Sequence, residues 1–157
     1  MRAFILPLGL CLLFTSCSVD TSTDEQELLR LHEVVLQAHR DGDLESWMAD
    51  EAELTLSANG GKVDTLERDQ RISARQPYLE NTTFSSYRDL IDPIAKVSDD
   101  GTLGWVIVEV EIIGESIQDD GSSREIASVW AWIELYEKFP DGWKRIGNVS
   151  NGRSLDS

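Results

Sequence analysis

Apolar positions recur at helical spacing in the first third of the chain and at strand spacing in the last third. Leu28, Leu31, Val35 and Ala38 fall on one stripe at intervals of three and four. This spacing predicts an amphipathic helix that begins near residue 24 and ends before the Asp-Gly-Asp turn that follows it.

The rest of the chain is predicted to form two further helices, a hairpin and a run of strands. Asn59-Gly60 suits a tight primed turn and therefore marks the hairpin. Asp92-Pro93 indicates an irregularity in an extended segment over residues 82–97, because proline cannot donate to a sheet ladder. The predicted bounds are residues 44–50 and 66–79 for the helices, the second ending near Pro77, 53–57 and 61–64 for the hairpin, and 103–115, 124–138 and 143–151 for three long strands.

Helices first and long strands last indicate an α+β fold with the helices packed on one face of a curved antiparallel sheet. Turns rich in aspartate and glycine separate the long strands, so neighbouring strands are expected to run antiparallel. The even positions of residues 103–115 are uniformly apolar and are expected to form core. The pattern predicts one domain over residues 24–151, with residues 152–157 as a tail.

The first sixteen residues have the pattern of a secretory signal: Arg2, an apolar run too short to span a membrane, and then small residues. The sequence FTSC at residues 14–17 resembles the bacterial lipobox, which predicts cleavage before Cys17 and lipid on its thiol. An ordinary signal peptide cut nearby is the alternative. Residues 17–23 are polar and predict a short tether. The expected location is the bacterial cell envelope, lipid-anchored at the outer membrane or the cell surface.

Charge and cysteine content exclude several classes of function. The chain has 29 acidic and 14 basic residues, a formal net charge of −15. Such a surface repels phosphate backbones and anionic headgroups, so nucleic acid is not expected as a partner and membrane contact is expected through the lipid alone. After cleavage Cys17 would be the only cysteine, which leaves no intramolecular disulfide and no cysteine metal site. No glycine-rich phosphate loop occurs, and no cofactor is expected.

The two histidines do not predict a metal site. Leu36 stands where a zinc helix that begins at His32 would need its second histidine. His32 and His39 are seven residues apart on one helix face, about 10 Å from each other, which is too far to hold one ion. His32 is expected to be a partly exposed helix residue.

The order of the elements, together with three short motifs, resembles the nuclear-transport-factor-2-like (NTF2-like) superfamily in its SnoaL-like bacterial branch. The motifs are the helix end AHRDGD at residues 38–43 followed by Trp47, the hairpin SDDGTL at residues 98–103, and the closing YEK and DGWK at residues 136–138 and 141–144. The resemblance covers residues 24–151. It implies a cone, also called cystatin-like, in which a bent sheet wraps over the helices and opens onto an apolar pocket. Members include isomerases, dehydratases, hydrolases, cyclases and partner-binding subunits, so the fold does not select a function.

The strand over residues 124–138 provides the main candidate binding residues. Trp130, Trp132 and Glu134 share one face of it. The resemblance places this face inside the cone, where an apolar setting would raise the pKa of Glu134 and make it an acid or a base near neutrality. The alternative turns the face outward, as a dimer interface with Glu134 at a solvated rim. The residues leave both orientations open.

Further polar candidates lie elsewhere in the predicted fold. The resemblance places His39 near the mouth of the cone, where either a structural hydrogen bond or general-base catalysis is conceivable. Asn148 and Ser150 project from the last strand on one side and are expected to supply hydrogen bonds in the cavity. Arg71 and Arg75, one turn apart, could orient an anionic ligand, although such a pair more often forms a solvated face.

The leading hypothesis is an envelope lipoprotein that binds a small hydrophobic molecule in the cone and does not turn it over. The second hypothesis is an isomerase, dehydratase or hydrolase that uses Glu134 or His39 in general acid/base catalysis. The resemblance implies histidines in the last strand of related enzymes, and their absence here counts against this second hypothesis. The third hypothesis is a homodimerising interaction module that uses the aromatic face.

Overall fold

The computed structural model describes residues 20–155 of the chain. The predicted signal peptide and Cys17 lie outside the described residues, so cleavage and lipidation stay predictions. Within the described part, no helix has the length and apolar character needed to span a bilayer. Its elements are the helices α1 (Ser22–Asp41), α2 (Leu44–Met48) and α3 (Arg68–Asn81) and the strands β1 (Glu51–Asn59), β2 (Lys62–Glu67), β3 (Thr82–Asp89), β4 (Ile94–Val97), β5 (Leu103–Ile117), β6 (Ser123–Phe139) and β7 (Gly142–Ser154).

The first helix begins and ends where the local chemistry favours it. α1 begins at Ser22, inside the segment predicted as a tether, and Asp24 and Glu25 occupy its first turn. Acidic side chains are favourable there because the helix N-terminus carries partial positive charge. Gly42 ends the helix with a φ of 68°, a left-handed conformation that glycine adopts without strain. Asp43 then caps α2 by accepting a backbone N–H.

The third helix continues past its predicted end. α3 runs through Pro77 to Asn81, four residues beyond the proline. Proline removes only one backbone donor from the helix, and Leu79 beyond it is buried in the packed interior at 7% exposure. Burial of this side chain holds the last turn in helical form, so the prediction that the helix ends near Pro77 was wrong.

Seven strands form one sheet in the order β2-β1-β7-β6-β5-β3, and β4 pairs with the other half of β5. The break between β3 and β4 contains the irregularity predicted at Asp92-Pro93. Neighbouring strands are antiparallel except β1 and β7, which run parallel. The strands that short turns join, β1 with β2, β5 with β6 and β6 with β7, are antiparallel as predicted. A short turn fixes the direction of only the strands that it joins, and β1 and β7 lie far apart in sequence.

The core lies between α1 and the concave face of this curved sheet. Leu28 and Leu31 of α1 pack against Val106, Val108 and Val110 of β5, all of them at most 3% exposed. The even positions of β5 therefore form core as predicted. Trp143, at 4% exposure, belongs to the same cluster. The fold is α+β, with the helices on one face of a sheet that does not close into a barrel.

Candidate binding cavity

A cavity of about 390 Å³ lies between the helices and the concave face of the sheet. That volume is in the range of small-molecule sites. Helices α1, α2 and α3 contribute His39, Trp47 and Arg75 to the wall, and the sheet contributes residues from β1, β3, β5, β6 and β7. Because the sheet is bent, side chains from distant parts of the chain converge on one space.

All five residues predicted to bind a ligand line this cavity. They are Trp130, Trp132 and Glu134 of β6 and Asn148 and Ser150 of β7. In the β6–β7 ladder Trp132 lies opposite Ser150 and Glu134 opposite Asn148, which places them side by side. The aromatic face of β6 thus points inward, and the outward orientation was wrong. That result removes the interface proposed for a homodimer, so homodimerisation stays a prediction without an assigned surface.

Glu134 is an ionised carboxylate held by several donors. Its side chain is 1% exposed. It accepts from the Trp132 indole at 3.0 Å and the Tyr136 hydroxyl at 2.7 Å, and Arg145 lies 3.8 Å away. Burial alone would raise its pKa, but hydrogen bonding and charge from His32, together with Arg145, lower the pKa to about 2. The predicted rise in pKa was therefore wrong, and Glu134 is poorly suited to proton transfer near neutrality.

His32 lies in a buried network of carboxylates that its sequence position did not indicate. It is 1% exposed, not partly exposed as predicted. Its Nδ1 lies 3.2 Å from Glu134 Oε1 and its Nε2 lies 3.1 Å from Asp89 Oδ1. Both acceptors are carboxylates, so both ring nitrogens donate and the ring is an imidazolium. Burial lowers the pKa of His32, but Asp89 and Glu134 outweigh it and raise the pKa to about 9.

A signal in the sequence could have located His32. The residue lies four positions after Leu28 and four before Leu36, and both leucines are at most 1% exposed. Residues four apart share a helix face, so His32 lies on the buried stripe of α1. What the sequence lacked was any indication of the acidic partners that make its burial acceptable.

His39 has the opposite environment at the end of the same helix. It is 4% exposed, and its Nδ1 donates to the Val35 carbonyl oxygen at 2.7 Å. Its ring stacks on Tyr87 at 4.4 Å between centroids and lies 3.9 Å from the Trp47 ring. Burial lowers the pKa of His39 to about 4, so the ring is neutral near neutrality. Nε2 then offers a lone pair and has no partner among residues 20–155.

Glu51 and three arginines form a charged cluster that the sequence analysis did not identify. Glu51 Oε2 accepts from Arg71 Nε at 2.9 Å and from Arg75 Nη1 at 2.7 Å, and Oε1 accepts from Arg145 Nη2. Burial would raise the pKa of Glu51, but Arg145 and Arg75 lower it to about 2. No local sequence motif predicts this cluster, because Glu51 and Arg145 come together through the parallel pairing of β1 and β7.

The two arginines of α3 occupy different places. Arg71 is 2% exposed and also donates to backbone carbonyl oxygens of Ala52, Glu53 and Leu66, so the solvated face predicted for it was wrong. Arg75 lines the cavity, with its side chain 22% exposed. Its guanidinium lies over the Trp47 ring at 4.2 Å from the centroid, a cation–π contact.

Two tyrosines complete the wall near these groups. Tyr78 and Tyr87 line the cavity, and neither hydroxyl has a hydrogen-bond partner in the part of the chain that the structure describes. Burial raises the pKa of Tyr78 to about 12 and that of Tyr87 further. Both hydroxyls therefore keep their protons and remain able to donate. The cavity combines aromatic walls with a few polar groups that the protein leaves unpaired.

Comparisons with known proteins give a match at the level of structure. No family model matches the sequence, and no curated protein matches it either. An NTF2-like protein from Cytophaga hutchinsonii is similar over 82% of this chain and 97% of its own, at 18% identity and a TM-score of 0.64. A candidate dehydratase of the NTF2-like family from Streptomyces avermitilis is similar over 82% and 94%, at 16% identity and a TM-score of 0.61.

A ketosteroid isomerase-like protein from Erwinia carotovora atroseptica is similar over 85% of this chain and 98% of its own, at 12% identity and a TM-score of 0.62. At these identities the similarity concerns the fold and carries no residue roles across. The SnoaL-like branch stays a prediction. The described chain has the NTF2-like fold that its sequence resembles.

Proposed function

We propose that the protein binds a small molecule in this cavity. The observation that supports the proposal best is a set of polar groups in the aromatic wall without partners among the described residues: His39 Nε2 and the hydroxyls of Tyr78 and Tyr87. These three groups are open to the cavity, because among the described residues Thr82 Oγ1 alone is both buried and without a hydrogen-bond partner. A ligand in the cavity could therefore replace the water that hydrogen-bonds to them, and the volume suits a ligand.

The apolar part of the wall indicates what kind of body the ligand has. Trp130 and Trp132 line one side of the cavity, and Trp47 lines another. Indole rings give large, flat contact areas at little conformational cost. We expect a compact, flat hydrophobic molecule, in agreement with the small apolar ligand expected from the sequence. This molecule should also carry polar atoms that hydrogen-bond with the unpaired groups of the wall.

Binding without turnover accounts for the ionisation states better than acid/base catalysis does. A general acid or base works best when its pKa lies near the working pH. The pKa of Glu134 is about 2 and that of His39 about 4, so neither group is poised near neutrality. An isomerase, dehydratase or hydrolase remains the second proposal, favoured by the free Nε2 of His39. Turnover that survives His39→Phe would eliminate that role.

A cavity-filling variant tests the binding proposal. The protein without residues 1–17, which retains every described helix and strand, is screened by thermal shift against flat hydrophobic compounds. Ser150→Phe places a ring in the cavity and is expected to abolish the increase in Tm. Val149→Phe, at the neighbouring exposed position of β7, should leave the increase unchanged. The proposal fails if no compound raises the Tm, or if both variants respond like wild type.

We also propose that the protein is anchored to the bacterial envelope by lipid on Cys17. The support is the signal sequence and the lipobox resemblance alone. When the protein is expressed in bacteria, the wild-type chain should incorporate labelled palmitate and sediment with the membranes. The Cys17→Ser variant should neither incorporate the label nor sediment with the membranes. Equal labelling of the two proteins would contradict the anchor.

A further inference from the structure

The charged groups in the cavity wall and behind it form one connected cluster with an excess of positive charge. Its anions are Glu51, Glu134 and Asp89, and its cations are Arg71, Arg75, Arg145 and His32. Arg145 links Glu51 to Glu134, and His32 links Glu134 to Asp89. Three carboxylates face four cations, because both ring nitrogens of His32 donate to carboxylates. The cluster therefore carries one positive charge more than its acids balance.

Arg75 is the most exposed cation of the cluster, with a side chain 22% exposed against 11% for Arg145 and 1% for Arg71 and His32. Glu51 is shared by three guanidinium groups, and Arg71 satisfies its remaining donors with backbone carbonyl oxygens. Arg75 uses only Nη1, which donates to Glu51 and contacts the Met48 sulfur at 2.9 Å. Its Nε and Nη2 have no partner within residues 20–155. A guanidinium carries five N–H donors, so the edge of the Arg75 guanidinium formed by Nε and Nη2 is unoccupied.

The position of Arg75 makes that edge available to a ligand. Trp47 supports the guanidinium plane at 4.2 Å, and Arg75 lines the same cavity as the two tryptophans of β6. Tyr78, one turn further along α3, adds a hydroxyl without a partner to this part of the wall. The side-on edge of a guanidinium, Nε and Nη2, matches the two oxygens of a carboxylate.

We propose that the ligand is a small carboxylic acid with a flat hydrophobic body, bound as the anion with its carboxylate on Arg75. This inference rests on the proposed function, since it requires that the cavity bind a small molecule. A carboxylate supplies the one negative charge that the cluster lacks. It would also explain why a chain with a net charge of −15 keeps more cations than carboxylates in this cluster.

Matched acid and amide probes test the charge requirement in the wild-type protein. Naphthalene-2-carboxylate and naphthalene-2-carboxamide share shape and body and differ in charge, as do indole-3-acetate and indole-3-acetamide. Calorimetry at pH 7 should give each acid an affinity about tenfold or more above that of its amide, the range expected of a hydrogen bond to a charged group. An amide that binds as tightly as its acid would overturn this inference and leave the proposed function in place.

Two variants assign the preference to Arg75. Arg75→Gln should reduce the acid-to-amide ratio to less than about threefold while the amide affinity changes little, since Glu51 keeps Arg71 and Arg145. Arg68→Gln is the matched control, because Arg68 lies on the same helix, donates to the Met48 carbonyl and does not line the cavity. An unchanged ratio in Arg75→Gln would overturn the assignment. Absence of binding by all four probes would overturn this inference and count against the proposed function.

Discussion

His32 and His39 lie on the same helix and are both buried, yet their surroundings have opposite effects on their charge. His32 lies between two carboxylates, and its pKa rises to about 9. His39 lies among aromatic rings and donates to a backbone carbonyl, and its pKa falls to about 4. The difference separates the site into a charged cluster, whose members pair with one another, and a neutral aromatic wall. Arg75 is the member of the cluster that we propose to contact a ligand.

The same substitution at the two histidines should have unequal effects on stability. His32→Phe removes the cation between the carboxylates of Asp89 and Glu134 and should lower the free energy of unfolding by about 3–5 kcal/mol. His39→Phe keeps an aromatic ring among aromatic rings and loses one hydrogen bond, which should cost about 1 kcal/mol. Urea denaturation at pH 7 measures both changes, and equal losses would contradict the division into two environments.

The pH dependence of stability should have two limbs of opposite sign. The raised pKa of His32 gives a stabilisation that is complete below pH 6.5 and is lost as the pH rises through about 9. The lowered pKa of His39 means that the unfolded chain takes up its proton first, so stability is lost as the pH falls from 6.5 towards about 4. Each limb should be on the order of 3 kcal/mol.

Variants distinguish the two limbs. Urea denaturation across pH 4 to 10 should show a maximum near pH 6.5 in the wild-type protein. His32→Phe should flatten the alkaline side, and His39→Phe should flatten the acid side. If the His32→Phe variant lost as much stability between pH 6.5 and 10 as the wild-type protein, the ion pairs of His32 with carboxylates would be disproved.

Removing one hydroxyl from each environment compares a moderate expected effect with the smallest one. Tyr136→Phe deletes a 2.7 Å hydrogen bond to ionised Glu134 and should cost about 1.5–3 kcal/mol. Tyr87→Phe deletes a hydroxyl with no partner in the described chain and should change the free energy of unfolding by less than about 0.5 kcal/mol. A large loss in the Tyr87 variant would show that its hydroxyl is already engaged in the free protein.

The sequence was sufficient for features that depend on local periodicity. Alternation along β5 identified its core face, and alternation along β6 placed Trp130, Trp132 and Glu134 on one face. Both follow from the two-residue repeat of a strand, which needs no knowledge of neighbours. The direction of the β6 face required a resemblance and then the structure, because a carboxylate beside an indole suits either solvent or a buried network.

The charged cluster could not be predicted, because it depends on contacts between distant parts of the chain. Arg145 is 94 residues from Glu51, and His32 is 102 residues from Glu134. A single sequence gives no register for a parallel strand pair or for a helix laid across a sheet. The predicted pKa of Glu134 was wrong for the same reason: its apolar neighbours were visible in the sequence, and its cationic neighbours were not.

The position of β7 in the sheet has a consequence for the order of events during synthesis. β7 is the last of the described strands to leave the ribosome, yet it lies between β1 and β6 near the middle of the sheet. Until residues 142–154 emerge, the β1–β2 hairpin has no neighbour to pair with and Glu51 has no Arg145. We therefore expect the nascent chain to complete its sheet only after translation of the whole domain, in one late step dominated by long-range contacts.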